Sequence, residues 1–152
     1  MGEAIRKSVE IKNKKAFFQY EILDKYEAGI VLKGTEIKSI RQGKASIKEG
    51  YCAFKKGELY ILSMNISPYS EAGQENHEMT RPRKLLLHKQ EVNKLIKSKK
   101  DVGLTIVPLK LYINKSGFAK LKIALAKGKK MQDKRHKLKE KDLKRQIDRA
   151  RK

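Results

Sequence analysis

Apolar and polar residues alternate along several segments of the chain, and a repeat of two is the signature of a half-buried β-strand. Residues 16–32 contain two such runs, formed by Phe18, Tyr20 and Ile22 and then by Ala28, Ile30 and Leu32. The pattern therefore predicts extended structure through this segment. Gly29 interrupts the second run, and glycine inside a strand often marks a bulge, so we predict a bulge there.

Two later segments predict β-hairpins, each with a glycine in its turn. The first turn is expected at residues 55–58, and the arm after it is expected to present one face made of Tyr60, Leu62, Met64 and Ile66. The second turn is expected at residues 114–117, between faces made of Thr105, Val107, Leu109, Leu111 and Ile113 and of Ala119, Leu121, Ile123 and Leu125. Pro108 has no N–H to donate, which predicts an edge position or a bulge.

Two short helices are predicted between the strands. The first covers residues 35–42, with Thr35 as its cap and Gly43 as its stop. The second covers residues 88–98, where Val92, Leu95 and Ile96 recur at helical spacing. The combination predicts a mainly β protein with short helices, built as an OB-like closed antiparallel β-barrel of five to seven strands.

The end of the chain lacks the apolar positions that a core needs. Residues 126–152 carry a net charge of +9 out of +21 for the whole chain, and their apolar stripe is thin. We therefore divide the chain into a barrel, residues 1–127, and a basic tail, residues 128–152. Such a tail is expected to be disordered when free and to become helical against a partner.

Composition excludes several classes of protein. A single cysteine, Cys52, cannot form an internal disulfide framework and suits a reducing compartment. No apolar run reaches the length of about 20 residues that a membrane span needs, so we expect a soluble, cytoplasmic protein that binds no membrane. We also expect a monomer. The three histidines, His77, His88 and His136, lack metal-ligand spacing, and we expect neither a metal nor another cofactor.

The large positive charge indicates a polyanionic partner, and RNA or DNA is favoured over an anionic membrane surface. Three clusters rich in basic residues lie beside the predicted strands, and we expect them to bind the nucleic acid: Asn13, Lys14 and Lys15; Arg81, Arg83 and Lys84; and Lys127, Lys129 and Lys130. Glu27 could serve as a lone catalytic carboxylate, but a surface acid is its more ordinary role. No second acid, histidine or nucleophile accompanies it in sequence, so we predict a binding protein and no enzyme.

Five stretches of the sequence, taken in order, resemble one known family. They are "NKKAFFQYEI", "EAGIVLKGTEIKSIRQGKA", "NISPY", "RPRKLLLHK" and "GKKMQDKR", and they span nearly the whole chain. The sequence looks like the small protein B family, which binds bacterial transfer-messenger RNA (tmRNA). The resemblance implies an OB-like barrel that binds the tRNA-like domain of that RNA during trans-translation, the rescue of stalled ribosomes. It also implies that the body stands where an anticodon arm would lie, while the tail probes the empty message channel.

The resemblance also assigns residues. Asn13, Glu27 and Leu86 match positions that the family uses to bind the RNA, although "KLLL" taken alone would favour a core role for Leu86. The tail positions implied to act on the ribosome, at its 16S RNA decoding centre, are Gly128, Lys129, Lys130, Asp133, Lys134 and Arg135. Gln132 stands immediately before "DKR", residues 133–135, where the family often has His or Tyr.

Two other functions fit a basic chain with a tail. The first is a structural or assembly protein of the ribosome, which would co-purify with ribosomal subunits instead of with one discrete smaller RNA. The second is an RNA-modifying or RNA-cleaving enzyme, which would need a clustered acid and base on its RNA-facing surface. The sequence contains no such pair, so the ribosomal protein is the stronger alternative.

Overall fold

The computed structural model describes residues 9–73, 76–101 and 103–129. Strands dominate these ranges, and the helices between them are short. In chain order the elements are β1 (Glu10–Lys12), α1 (Lys14–Gln19), β2 (Tyr20–Ile30), α2 (Gly34–Arg41), β3 (Ala45–Ser46), β4 (Tyr51–Lys55), β5 (Glu58–Leu62), β6 (Asn65–Ile66), β7 (Arg83–Leu86), α3 (Lys89–Ser98), β8 (Leu104–Ile113) and β9 (Ala119–Gly128). The prediction of a mainly β protein with short helices is confirmed.

Seven of the strands pair into one antiparallel sheet in the order β1-β8-β4-β5-β7-β2-β9. Strand β9 also pairs with β8, so the six strands from β8 round to β9 form a continuous ring of pairings, with β1 added beside β8. The contact between β4 and β8 is the shortest, since it aligns only Cys52 with Ile106. Strands β3 and β6 form a separate two-stranded sheet.

The inward side of the ring is filled by aliphatic side chains. Fully buried members of this core include Ile40, Ile61, Leu95, Ile106, Leu111, Leu121 and Ile123. On β9 the residues Ala119, Leu121, Ile123 and Leu125 all face this core, as their alternation predicted. Helices α2 and α3 each contribute one fully buried aliphatic residue, Ile40 and Leu95, which ties both helices to the sheet.

Strand β8 contains a bulge that reverses which residues point inward. Its register against β9 shifts between Pro108 and Lys110, as the missing N–H of Pro108 predicted. Ile106 and Leu111 lie in the main core, whereas Val107 and Leu109 lie in a second apolar cluster outside the ring. The prediction that Thr105 to Ile113 would alternate onto one face is therefore wrong, because the extra residue of the bulge changes the parity.

Residues 14–19 form helix α1, so the prediction of extended structure from residue 16 is wrong at its start. The helix covers the second apolar cluster, where Ala16 is buried with Val107, Leu109, Ala124 and Ala126. In a strand Phe17 and Phe18 would point to opposite faces, whereas in the helix both side chains are at least half exposed. Burial of the small Ala16 against the sheet decides the local structure, and the apparent alternation of the aromatic residues does not.

Three smaller expectations also differ from the structure. Gly29 pairs regularly on both sides, and the bulge in β2 lies between Ile22 and Asp24. In β5 the buried residues are Leu59 and Ile61 instead of Tyr60 and Leu62, because the positive φ of Ser63 (58°) breaks the alternation before Met64. Helix α2 begins at Gly34 with Lys33 as its cap, and the Thr35 hydroxyl lies 2.9 Å from Nδ1 of His77.

The turns agree with their predicted positions. The β4–β5 turn places both Lys56 and Gly57 at positive φ, which gives the two-residue hairpin its favoured twist. The β8–β9 turn is closed by Asn114, whose Oδ1 accepts the Phe118 N–H at 2.9 Å. Both predicted helices occur within about one residue of their expected bounds, and Gly43, at positive φ, follows the end of α2.

A buried ion pair joins α2 to β7. Glu36 and Arg83 are both fully buried, and the Arg83 Nε donates to the Glu36 carboxylate. Arg83 also donates to the Met64 carbonyl at 2.7 Å, and Arg81 donates to the same carboxylate. Burial acts to raise the pKa of Glu36, but hydrogen bonds from Arg81, from the Lys33 N–H and from Arg83 outweigh burial and hold this pKa below its ordinary value.

The first prediction concerns this ion pair. Arg83→Met should lower the free energy of unfolding by about 3 kcal/mol, because it leaves the buried Glu36 carboxylate without its one fully buried cationic partner. The matched control is Lys84→Met on the same strand, which removes an exposed pair with Glu58 and should have a far smaller effect. Urea unfolding of the two variants measures the difference, and equal losses would contradict the assigned role of the buried pair.

Candidate nucleic-acid interface

Two cross-strand rows of side chains cover the outward side of β1, β8, β9, β2 and β7. Strand register places one row in the order Leu86, Gly29, Lys120, Tyr112 and Glu10, and the next in the order Glu27, Lys122, Lys110 and Lys12. We call these nine residues the outer rows. Because they lie on hydrogen-bonded strands, their spacing is set by the sheet and not by flexible loops. Four lysines and two glutamates give the outer rows a positive balance around one apolar residue.

Glu27 and Tyr112 are linked within the outer rows. The Tyr112 hydroxyl donates to the Glu27 carboxylate, and burial together with this bond and the charge of Glu27 raises the pKa of Tyr112 to about 12. The Lys110 and Lys122 ammonium groups lie 5.2 Å and 6.0 Å from the centre of the Tyr112 ring, within cation–π range. Glu27 itself stays exposed, so its carboxylate can accept further hydrogen bonds from a partner.

Leu86 points outward, although it follows directly on a core residue. Leu85 is 3% exposed and Leu86 is 52% exposed, as expected for neighbours on a strand. Gly29 stands opposite Leu86, and a Cβ on Gly29 would lie 3.4 Å from the Leu86 Cβ. Glycine at this position therefore leaves open space beside the exposed leucine. The core role that "KLLL" alone favoured holds for Leu85 but not for Leu86.

Helix α1 continues the same side of the sheet beyond the outer rows. It covers Ala124 and Ala126, which follow Lys122 on the outward side of β9. Lys14 and Lys15 are exposed on the helix, and Lys15 lies 3.5 Å from Glu49. Phe17 is half exposed and lies under the Lys25 ammonium group at 5.9 Å. The first predicted basic cluster thus adjoins the outer rows.

Asn13 is buried and holds α1 against the bulge in β8. Its backbone N–H donates to the Leu109 carbonyl at 2.8 Å, and its Nδ2 donates to the Pro108 carbonyl at 2.9 Å. These two bonds use backbone acceptors that the bulge frees from the ladder. The Asn13 Oδ1 has no hydrogen-bond partner in the described part of the chain, and the residue lines a groove of about 250 Å³ beside α1.

The second predicted basic cluster is divided by the structure. Arg83, predicted within an RNA-binding cluster, is fully buried in its pair with Glu36, so its guanidinium is not accessible to a partner. Arg81 is half-buried and bonded to the same carboxylate. Lys84 alone reaches the outward side, where its ammonium group lies 3.0 Å from Glu58.

The third cluster begins within the sheet. Lys127 is exposed near the end of β9, opposite Glu21, and Gly128 is the last residue of that strand. The Lys129 N–H donates to the Gln19 carbonyl at 3.1 Å, so the first two residues assigned to the tail are held by the body. The other predicted tail residues, Lys130, Asp133, Lys134 and Arg135, lie outside the described residues.

Several residues of the surface were not predicted. Lys120 and Lys122 could have been found, because the inward alternation of β9 requires the residues between its core positions to point outward. Lys110 and Tyr112, which alternate with Leu111 and Ile113, could have been found in the same way. Their place beside Glu27 could not, because it depends on the cross-strand register. Across the described ranges, no group of three or more His, Cys, Asp or Glu side chains could hold a metal ion, and no helix is long and apolar enough to span a membrane.

The second prediction concerns the pKa of Tyr112. Glu27→Gln should lower this pKa because the negative charge near the phenol is removed, but the value should stay above the ordinary 10.0 because burial remains. Titration of the tyrosine ring-carbon signals by NMR measures the change, with Tyr112→Phe as the control that identifies the signal. An unchanged Tyr112 pKa in the Glu27→Gln variant would contradict the described link.

Comparison with known proteins gives one consistent result. The SmpB protein family model matches residues 10–152. The SsrA-binding protein of Cytophaga hutchinsonii is 57% identical over 147 residues, covering 97% of this chain and 96% of that protein. The SsrA-binding protein of Shouchella clausii is 53% identical over 150 residues, covering 99% and 96%.

A solved structure is similar as well. It is described as "tmRNA-SmpB: a journey to the center of the bacterial ribosome", and one of its chains superposes with a TM-score of 0.68 at 46% identity. The match covers 81% of this chain and 86% of that one. A family model over most of the chain, close relatives of matching length and a shared fold agree, and the chain belongs to the SmpB family.

Proposed function

We propose that the chain binds the tRNA-like domain of tmRNA through the outer rows and α1, and that it carries this RNA to stalled ribosomes for trans-translation. The observation that carries the proposal is the fixed array of lysines around Glu27 and Leu86. The names of the similar proteins, SsrA-binding protein and tmRNA-SmpB, support the choice of RNA. The role is one of binding and delivery, without a catalytic step.

The array suits recognition of a folded RNA by its shape. Structured RNA is bound mainly through phosphates, 2′-hydroxyls and unstacked bases, because the deep major groove of its helices excludes side chains. Lys12, Lys110, Lys120 and Lys122 lie in register on three neighbouring strands, where they can meet successive phosphates. A rigid sheet holds this spacing without the entropy loss that ordering a loop would require.

Glu27 supplies specificity in a surface that otherwise attracts any polyanion. A carboxylate repels phosphate, so its presence among lysines favours a partner that brings a hydrogen-bond donor to that point. Exocyclic amines of bases and 2′-hydroxyls are such donors. The Tyr112 hydroxyl holds the carboxylate from one side and leaves it exposed on the other.

Asn13 contributes in two ways under this proposal. Its backbone and amide nitrogen fix α1 on the sheet, which places Lys14 and Lys15 beside the outer rows. Its Oδ1, buried without a partner in the described part of the chain, can accept from a ribose hydroxyl that enters the adjoining groove. Arg83 acts only as a positioning residue, since its buried pair with Glu36 orients β7.

The remaining parts of the chain complete the proposal. The ring of paired strands forms an OB-like barrel that stands, as a monomer in the cytoplasm, where a tRNA anticodon arm would lie on the ribosome. The basic tail then enters the empty message channel and reaches the 16S RNA decoding centre. Residues 131–152, if helical, would extend about 33 Å, enough to enter a channel that the barrel cannot.

The third prediction tests Glu27. Glu27→Lys should weaken binding to a transcript of the tRNA-like domain by about tenfold, because an acceptor held in place is lost although positive charge is gained. The matched control is Glu21→Lys, an exposed acid of the same strand that lies outside the outer rows and pairs with Lys127. The control carries the same charge change and should bind as tightly as the unmodified chain or more tightly.

Gel shifts over a series of salt concentrations measure both variants. For the unmodified chain the logarithm of the binding constant should fall steeply with the logarithm of salt, with a slope of about −0.7 to −0.9 for each phosphate neutralised. Equal binding by the Glu27→Lys and Glu21→Lys variants would show that Glu27 is an ordinary surface acid. A slope near zero would overturn the proposed phosphate contacts.

The fourth prediction concerns the tail. A chain ending at Lys130 keeps β9 and the Lys129 contact, so it should fold and bind the RNA nearly as well as the full chain. It should fail to support peptide tagging on a message that lacks a stop codon. The matched control is the full-length chain with residues 131–152 in permuted order, which keeps the tail charge. Tagging by the permuted chain would show that the tail serves only as an electrostatic tether.

A further inference from the structure

A groove of about 380 Å³ adjoins the outer rows at the end where Leu86 lies. Helix α2 forms one wall through Ile37 and Arg41, and the β8–β9 turn forms another through Phe118. Gly29 and Leu86 also line the groove. The volume falls near the lower end of the range for small-ligand sites, roughly 300 Å³ and above.

The groove combines an exposed apolar surface with positive charge. Phe118 is 66% exposed and Leu86 is 52% exposed, which is unusual for large apolar residues that line one groove. Lys33, Arg41 and Lys120 complete the charged part of the lining, and the lining includes no acidic residue. Within the ranges that the structure describes, none of these three cations takes part in an ion pair.

The walls are held in place by the surrounding structure. The Phe118 N–H donates to Asn114 Oδ1, and the Asn114 N–H donates to the Phe118 carbonyl, so the backbone that carries the ring is fixed on both sides. The Arg41 guanidinium reaches across to within 3.9 Å of the point where a Cβ of Gly117 would lie. Helix α2 cannot shift away easily, because Glu36 is bonded to Arg83 of β7.

We infer that this groove holds one unstacked nucleotide of the bound RNA, with its base against Phe118 and Leu86 and its phosphate near Arg41 and Lys33. A flat apolar group joined to an anion matches the lining, and a stacked base joined to its own phosphate is such a group. The absence of a side chain on Gly29 leaves room for the base. The inference rests on the proposed function, since it names a contact of the same RNA.

Scanning of the RNA with abasic nucleotides tests the inference. In a set of transcripts of the tRNA-like domain, each with one single-stranded base removed, one position should lose about tenfold in affinity for the unmodified chain, the range expected for one stacked base. In a Phe118→Ala chain the intact RNA should bind about tenfold more weakly, and removal of that same base should cost nothing further. The matched control is Phe17→Ala, which truncates an exposed ring on α1: whatever its effect on overall affinity, removal of that base should still cost about tenfold.

Substitution at Gly29 gives an independent arm. Gly29→Ala should be tolerated, since the added Cβ makes ordinary contacts at 3.4 Å with Leu86 and at 3.8 Å with the Lys120 ammonium group. Gly29→Val suits a strand but adds methyl groups to the space between the walls, so it should lower RNA affinity as Phe118→Ala does. Urea unfolding of each variant establishes that the fold is retained, and the exposed Phe118 carries the test if Gly29→Val does not fold.

The outcomes separate the inference from the proposed function. Failure of the unmodified chain to bind the intact transcript would overturn the proposed function itself. Tight binding of the intact transcript, with no abasic position whose cost disappears in Phe118→Ala, would overturn the nucleotide in the groove alone. Loss of tagging in Phe118→Ala with unchanged RNA affinity would also overturn it, because the groove would then belong to a protein partner.

Discussion

The buried ion pair between Glu36 and Arg83 holds together the two elements on which the candidate interface depends. Removing two charges from water is costly, and here the cost is offset by further hydrogen bonds to the Met64 carbonyl and from Arg81. Separation of α2 from β7 is unfavourable, because it would leave each of the two buried charges without its partner. The arrangement keeps Leu86 outward on β7, and it keeps Arg41 of α2 over the groove. Arg83 thus positions Leu86 and Arg41 although its own side chain is buried.

The bulge in β8 is the second constraint, and it explains why the sheet has useful residues on both sides. The shift between Pro108 and Lys110 directs Leu109 outward and Leu111 inward. The outward residues would be exposed apolar surface if α1 did not cover them. The carbonyls of Pro108 and Leu109 receive the amide and backbone hydrogens of Asn13, which fixes α1 there. The bulge in β8 therefore places the basic N-terminal end of α1 next to the outer rows.

Much of the fold could be predicted from alternation and turn residues, because strands and hairpins are specified locally. The β4–β5 and β8–β9 hairpins, the two longer helices and the inward face of β9 follow from that information. Helix α1 could not be predicted, since its only buried residue, Ala16, is decided by contacts with β8 and β9 far along the chain. The interface divides in the same way. Glu27 and Leu86 follow from the family resemblance, whereas the place of Tyr112 beside them follows only from the cross-strand register. The burial of Arg83 could not be predicted, because an arginine in a basic cluster and an arginine in a buried pair look alike in sequence.

Strand β9 also determines how the candidate interface relates to the tail. Phe118, at one wall of the groove, immediately precedes the strand, and Gly128 ends it. Ten steps of extended chain set these points about 33 Å apart at the usual rise of about 3.3 Å per residue. The Lys129 N–H then donates to the Gln19 carbonyl at the end of α1, so the tail starts from the helix that adjoins the outer rows. Paired on both sides, by β2 and β8, the strand resists bending. For a partner bound at the groove and the outer rows, β9 therefore determines where the tail begins and how far that point lies from the groove.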